Sequence, residues 1–397
     1  MNRSRLIMVL TWMGWHMLSQ TLVASGQPFH PADDEQVLER LSFNPTDPVA
    51  REIRALRRNL AKNPHHLESA VHLATRYIEL SRSEGDPRFL GKAQAILTPW
   101  WQESNPPPPA LLLRATIKQS AHEFDSALVD LDEVLSIQPS NAQAWLTKAS
   151  ILTVQAKYDD ARRACQPLAR FTARHVFLAC LSDIAGVTGQ AAKSQMVLRE
   201  LLAHPVVSDP ERMWISTMSA EIAARTGDAE AADRSFSEIL KTGAKNQYLL
   251  GAYADFLLDR GRHRDVITLL RHETRADGLL LRLAIAEQEL KLPSFQDHVA
   301  TLAARFAASR DRGTNVHVRE EARFTLVLLR NPQEALPLAQ MNWKVQREPA
   351  DARILLESAL AAGNHAAAKP ALDWLRTNHV EDWHLQRLAK LVQQESR

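Results

Sequence analysis

His65, His66 and His72 lie within two helical turns of one another, and His379 and His384 lie five residues apart near the far end. A metal centre would need such rings to converge from several sides. Surface and capping positions account for both groups more simply, so no metal ligand is predicted. Asp130, Asp132 and Glu133 bring acids together, and paired carboxylates can share acid–base work. A solvated helix face predicts the same cluster. Cys165 and Cys180 are the only cysteines, and their spacing suits no metal site. Two uses stay open for them: one disulfide in an oxidising compartment, or two small apolar residues in the core. The chain has no glycine-rich phosphate loop with its lysine, no His-Glu-x-x-His and no Gly-x-Ser-x-Gly. No catalytic residue, no cofactor and no enzymatic activity are therefore predicted.

The elements that must position these side chains announce themselves by a period. Ala93, Ala127 and Ala161 are 34 apart, and Ser194, Ala232, Val266, Val299, Ala335 and Ala368 follow at 33, 38, 34, 33, 36 and 33. Twelve residues before the first six stand Ser81, Ala115, Ala149, Ser182, Ala220 and Ala254. Such a period marks stacked helical hairpins. Where two helices of a hairpin cross closely, each must carry a small residue at the crossing. Leu131 and Val134 share a face with Ala127 and fill the space beside it. Pro139 ends that helix and Asn141 can cap the next. In the last three hairpins the first slot holds Glu287, Arg323 and Leu356. Ala286 and Ala322 lie one residue earlier, which predicts a slipped register there.

Trp145, Ala149, Ala161 and Pro139, one unit earlier, match an aromatic near the start, small residues at both crossings and a proline at the end. In this the chain resembles the tetratricopeptide repeat family. The resemblance implies an all-α, right-handed α-solenoid whose first helices line a concave face that holds a peptide or a partner helix. On that geometry Thr116, Gln119, Gln143, Ser150, Trp214, Glu221, Arg225, Tyr248, Asp255, Asp259, Arg353 and Glu357 would face the partner. The Lys- and Asn-rich clamp with which some members grip a terminal carboxylate is not seen. Trp214 and Tyr248 are either anchors for the partner, since aromatics dominate interface energetics, or core between hairpins.

Composition agrees with helices: aromatics are 6% of the 397 residues, and no alternating β-branched run demands a strand. Arg3 and Arg5, then an apolar run from Leu6 to Ala24 and small residues Ala24-Ser25-Gly26, read as a secretory signal over 1–26. The competing reading is an uncleaved anchor, the one way this chain would contact a membrane. Without that segment Lys plus Arg falls from 48 to 46, equal to Asp plus Glu at 46. A neutral chain is a poor nucleic-acid binder, and the basic run at 51–58 reads as a solvated helix face.

An extended lead-in is expected over 27–48, then repeats over 49–397. A capping helix at 49–62 comes first, and the clearest repeats are 109–173 and 211–274. Breaks are expected at 105–109, where NPPPP reads as a stiff spacer or as a ligand for a proline-reading module, and at 204–210. A last helix is expected over 381–395. The expected function is a non-catalytic scaffold, periplasmic or secreted, or anchored in the inner membrane facing the periplasm. It would bind another protein or peptide. A maturation or regulatory subunit of an envelope enzyme is the alternative, and an enzyme with a solenoid pocket a third.

Overall fold

A computed structural model describes residues 47–204, 207–243, 246–313 and 317–395. The expected signal and most of the lead-in lie outside them. The described chain is an all-α solenoid of nine stacked hairpins, with the helix Pro48–Lys62 in front and Trp383–Glu395 behind. The first six pair Leu67–Glu84 with Arg88–Ile96, Pro108–Ser120 with Phe124–Ile137, Ala142–Val154 with Tyr158–Cys165, Arg174–Ala185 with Ala191–Ala203, Asp209–Thr226 with Ala229–Lys241, and Gln247–Asp259 with His263–Leu270. The seventh pairs Asp277–Leu290 with Phe295–Asp311. In the eighth, Val318–Arg323 continues through a π turn, Phe324–Leu328, before Pro332–Val345. The ninth pairs Pro349–Ala361 with a 3-10 turn and Lys369–Thr377.

Small residues sit where the crossings require them. Ala115, Ala127, Ala161, Ala220, Ala232, Ala254, Ala335 and Ala368 are fully buried. In the fourth hairpin two serines take the slots, and the Ser194 hydroxyl donates to the Ser182 carbonyl at 2.7 Å. Asn141, Asp228, Asn246, Asn331 and Asn364 each accept a backbone N–H from the first turn they precede. Each hairpin turns through one left-handed residue: Gly85, His122, Ala156, Gly189, Gly227, Gly261, Lys291, Arg330 and Gly363. Five of these are glycines; His122, Ala156, Lys291 and Arg330 take the same conformation although an L-residue with positive φ carries no compositional sign.

Four expectations need correction or sharpening. The proline run at 105–109 is not all spacer: Pro108 and Pro109 open the second hairpin, where a missing N–H costs nothing. Likewise Asp209 and Pro210 of the second break belong to a helix, started by a Ser208–Glu211 capping box. Asp130 is not on a solvated face. It is 3% exposed, held by Arg114 at 2.9 Å and Lys118 at 2.7 Å. In the seventh and eighth hairpins Ala286 and Ala322 are the fully buried residues. The π turn that follows Ala322 absorbs an extra residue, in keeping with the 36-residue step there.

Cys165 and Cys180 are joined as a disulfide, with Cα atoms 5.9 Å apart, tying the third hairpin to the fourth.

The superhelix then closes on itself. The turn of the first hairpin meets the start of the seventh, where Glu84 pairs with Arg275 at 3.7 Å and Gly85 abuts Ala276. His122, in the second turn, lies in the field of Arg319 and His317 at the start of the eighth. Burial first, and then Arg319, lower its pKa to about 4. The Val154 carbonyl, in the third, accepts from Arg347 N–H at 2.8 Å, just before the ninth. Gly189, in the fourth, abuts His379, and Glu381 accepts from Ala191 N–H at 2.7 Å before the last helix. The turn of each of the first four hairpins is thus seated on the element six units later. Two further bonds lock the stack: Trp374 Nε1–H donates to Tyr158 Oη at 3.1 Å, and Trp383 Nε1–H to the Ala224 carbonyl at 3.2 Å.

Candidate binding cavity

Closure turns the concave face into the wall of a cavity of about 730 Å³. It is lined by the first helices of the third to ninth hairpins and capped by Trp383 and His384. Of the residues the sequence assigned to a concave face, Ser150, Trp214, Glu221, Arg225, Tyr248, Asp255, Asp259, Arg353 and Glu357 meet around it. Thr116, Gln119 and Gln143 do not. Thr116 is buried and donates to the Leu112 carbonyl at 2.9 Å, and Gln143 donates to Thr147 on its own helix. Thr116 belongs to the second hairpin, which does not line the cavity, and Gln143 lies two turns before Ser150, at the opposite end of its helix from the lining residues.

The register explains the gathering. In several hairpins the residue after the first slot points inward: Ser150 after Ala149, Glu221 after Ala220, Asp255 after Ala254, and Glu357 after Leu356. The same rule yields Asp183 after Ser182 and, in the slipped register, Arg323 after Ala322. Sequence reasoning missed Asp183 because the fourth hairpin is the least regular, and it took Arg323 for a break in the pattern. Arg282, Arg319, Glu320 and Glu348 were also missed; they carry no signal of their own until the stack folds back.

The two ends of the cavity differ in charge balance. At one end every acid is paired with a cation. Asp255 lies between Arg282 at 2.5 Å and Arg323 at 2.6 Å. Burial would raise its pKa, but the two guanidiniums reverse this and hold it well below the usual carboxylate range. The Arg282 guanidinium passes over Gly251 and donates to the Gly278 carbonyl at 2.7 Å. Arg353 bridges Asp259 and Glu357, both at 2.8 Å, and His384 approaches Glu357 at 3.4 Å. Against the burial penalty, His384 and Arg353 bring Glu357 to about 2. Arg319 does the same for Glu320, also to about 2.

At the other end acids outnumber cations. Asp183, Glu221 and Glu348 come from the fourth, fifth and ninth hairpins; Asp183 raises the pKa of both glutamates, and Glu348 that of Glu221. Burial is the larger cause: it pushes Glu221 up to about 7 against the pull of Arg225, and Asp183 in the same direction. Tyr248 donates its hydroxyl to both Glu221 oxygens at 2.9 Å. Its ring stays 65% exposed and that of Trp214 36%, although both stand inside the protein. Their free surface is therefore the cavity itself, so neither is core.

Among the described residues no group of His, Cys, Asp and Glu is arranged to hold a metal ion, and no helix is long and apolar enough to cross a membrane. His66 caps a helix through Ser69, and His72 pairs with Glu52 at 3.1 Å.

No family model and no curated protein matches the sequence. Among solved structures the chain is similar to a tetratricopeptide repeat protein from Parabacteroides merdae. The identity is 13% and the TM-score 0.32, over 72% of this chain and 98% of that one. It is also similar to the APC/C hetero-tetramer Cut9-Hcn1, at 13% identity and a TM-score of 0.40, over 88% and 81%.

Proposed function

We propose that this protein is a non-catalytic binding scaffold, exported to the cell envelope, that takes a short peptide segment of a partner protein into its cavity. One observation carries the reading. Two large aromatic rings, Trp214 and Tyr248, keep free surface inside a cavity of about 730 Å³ walled by seven successive units. That volume lies in the range of sites for drug-sized ligands, roughly 300–1,000 Å³. It admits a few residues of extended chain and excludes a folded domain. A maturation or regulatory subunit of an envelope enzyme would use the same cavity. Export rests on the first 26 residues and on the Cys165–Cys180 bridge, which suits an oxidising compartment.

The test places a photoreactive phenylalanine analogue at position 248, and separately at Met196, which is 63% exposed, in the full chain with its leader. The expected result is a peptide or protein adduct from position 248 alone, on a product whose intact mass begins near Ser25 or Gln27. Equal adducts from both positions would move binding out of the cavity. A product with Met1 retained in the cytosol would end the export reading.

One observation favours catalysis as a second reading. Glu221, with a pKa of about 7 and a phenol hydrogen-bonded to it, is poised as a general acid–base. A small-molecule adduct at position 248 would support that reading over the first.

A further inference from the structure

We infer that the acid-rich end of the cavity recognises a lysine or arginine side chain of the inserted peptide. This rests on the peptide-binding reading and specifies its chemistry.

The argument begins with charge balance within one enclosed space. At the far end, Arg282, Arg319, Arg323 and Arg353 are each paired with the acids already described, and Arg260 lies over the rings of Phe256 and Trp383. At the near end the acids are left over. Two arginines stand near them: Arg225, whose hydrogen bond goes to the Gly186 carbonyl at 3.3 Å, and Arg347 next to Glu348, whose Nε–H donates to the Trp343 carbonyl at 3.4 Å, so neither hydrogen bond goes to a carboxylate. Glu348 shares Arg319 with Glu320 and Asp351, at 3.2, 3.3 and 3.3 Å. Three carboxyls thus face one cavity with less than a full complement of cation. An added positive charge relieves their mutual repulsion.

The aromatic rings make the site specific. Tyr248 is fixed by its bonds to Glu221, so its ring cannot turn away, and Trp214 stands six residues before the crossing residue of its hairpin just as Tyr248 does of the next. Aromatic faces beside carboxylates suit an alkyl stem ending in an ammonium or guanidinium, which gains both dispersion and cation–π attraction. A bare metal ion would leave most of 730 Å³ unfilled and the rings unused. An acidic or wholly apolar peptide would leave the carboxyls unmatched.

The experiment uses the full mature chain and blocked hexapeptide pools, identical except for a central Lys, Arg, norleucine or Glu. Retained peptides are quantified by mass spectrometry after gel filtration, with spermidine as a competing free amine. The expected result is retention of Lys- and Arg-centred pools at least about tenfold above the norleucine pool, the size of one desolvated charge interaction. Asp183→Asn and Glu221→Gln should abolish the preference, and Tyr248→Phe should keep part of it. Glu133→Gln, on an outer helix, should leave it unchanged. Circular dichroism establishes that each variant is folded.

Equal retention of Lys and norleucine pools would overturn the cation site and leave peptide binding standing. Retention of the Glu pool above the others would overturn it as well. No retention of any pool, with spermidine bound, would overturn both this inference and the peptide reading.

Discussion

Gly85 and Gly189 show how much one residue can hold in this protein. Both have positive φ, +67° and +72°, and a Cβ on them would lie 2.7 Å from Ala276 Cβ and 2.9 Å from His379 Cβ. Left-handed backbone costs an L-residue about 1–2 kcal/mol, and here the collision adds to it. Gly85→Ala or Gly189→Ala should therefore destabilise by about 2 kcal/mol or more, read as a lowered denaturation midpoint. Gly227→Ala, with nothing near its Cβ, should cost only the backbone share. Conversely, Lys291 already sits at φ 54°, and Lys291→Gly should stabilise the fold by about 0.5–1 kcal/mol once glycine's entropy is deducted, read as a raised midpoint.

Glu221 supplies a pH effect at the same scale. Its folded pKa, about 7, exceeds the unfolded value, so the folded state binds more protons between the two. Stability from this group is present at low pH and falls as pH rises from about 4.5 through 7. Asp183, Glu348, Arg225 and Tyr248 are the charged and titratable groups that face it. A Glu221→Gln chain should lose part of that fall, giving a flatter thermal-midpoint profile between pH 5 and 8. An unchanged profile would show that Glu221 is ionised throughout.

Among elements, the crossing residues were the legible part. Alanines and serines at a 34-residue spacing announced the hairpins because sterics leave no other choice at a close crossing. The reading faltered where a charge stood in the slot. Arg323 looked like a broken repeat, but the π turn after it shifts the frame by one residue, and hydrogen-bond slippage within a helix leaves no trace in composition. Asp130 was misread for a related reason. Its partners Arg114 and Lys118 come from the facing helix, 16 and 12 residues away, and a helical wheel of its own segment does not contain them. The disulfide closes a short loop, its ends 15 apart in sequence, and on a chain-entropy account is worth about 3 kcal/mol. Cys165→Ser with Cys180→Ser should lower the midpoint accordingly. Hydrogen exchange should localise the loss to the third and fourth hairpins, since repeats feel mainly their neighbours.

The whole molecule departs from what the repeats alone imply. Nearest-neighbour stacking predicts an open groove, and nothing local encodes the seating of one hairpin on the sixth one after it. The residues of the cavity wall were therefore legible as a face, while their enclosure was not. The seating contacts are few and separable. Ala191 N–H opens a helix whose preceding residue, Gln190, supplies no cap, and the Glu381 carboxylate takes that place from 190 residues away. Glu381→Ala should cost about 1 kcal/mol, as loss of a helix cap does. Small-angle scattering should then report a larger radius of gyration, as the last units lift from the fourth. An unchanged radius would mean that the Trp374 and Trp383 bonds hold the seam alone.

That seam has a mechanical consequence. Most solenoids resemble a slack spring, lengthening smoothly when their ends are pulled. A coil whose successive turns already touch is bound solid: it resists until the contacts between turns part, and only then becomes compliant. Stretched in an optical trap, this chain should show a discrete yield before elastic extension, at a force lowered by the Glu381→Ala change. Removing one whole hairpin should abolish the yield while leaving the spring, because every turn beyond the deletion would come down on the wrong neighbour.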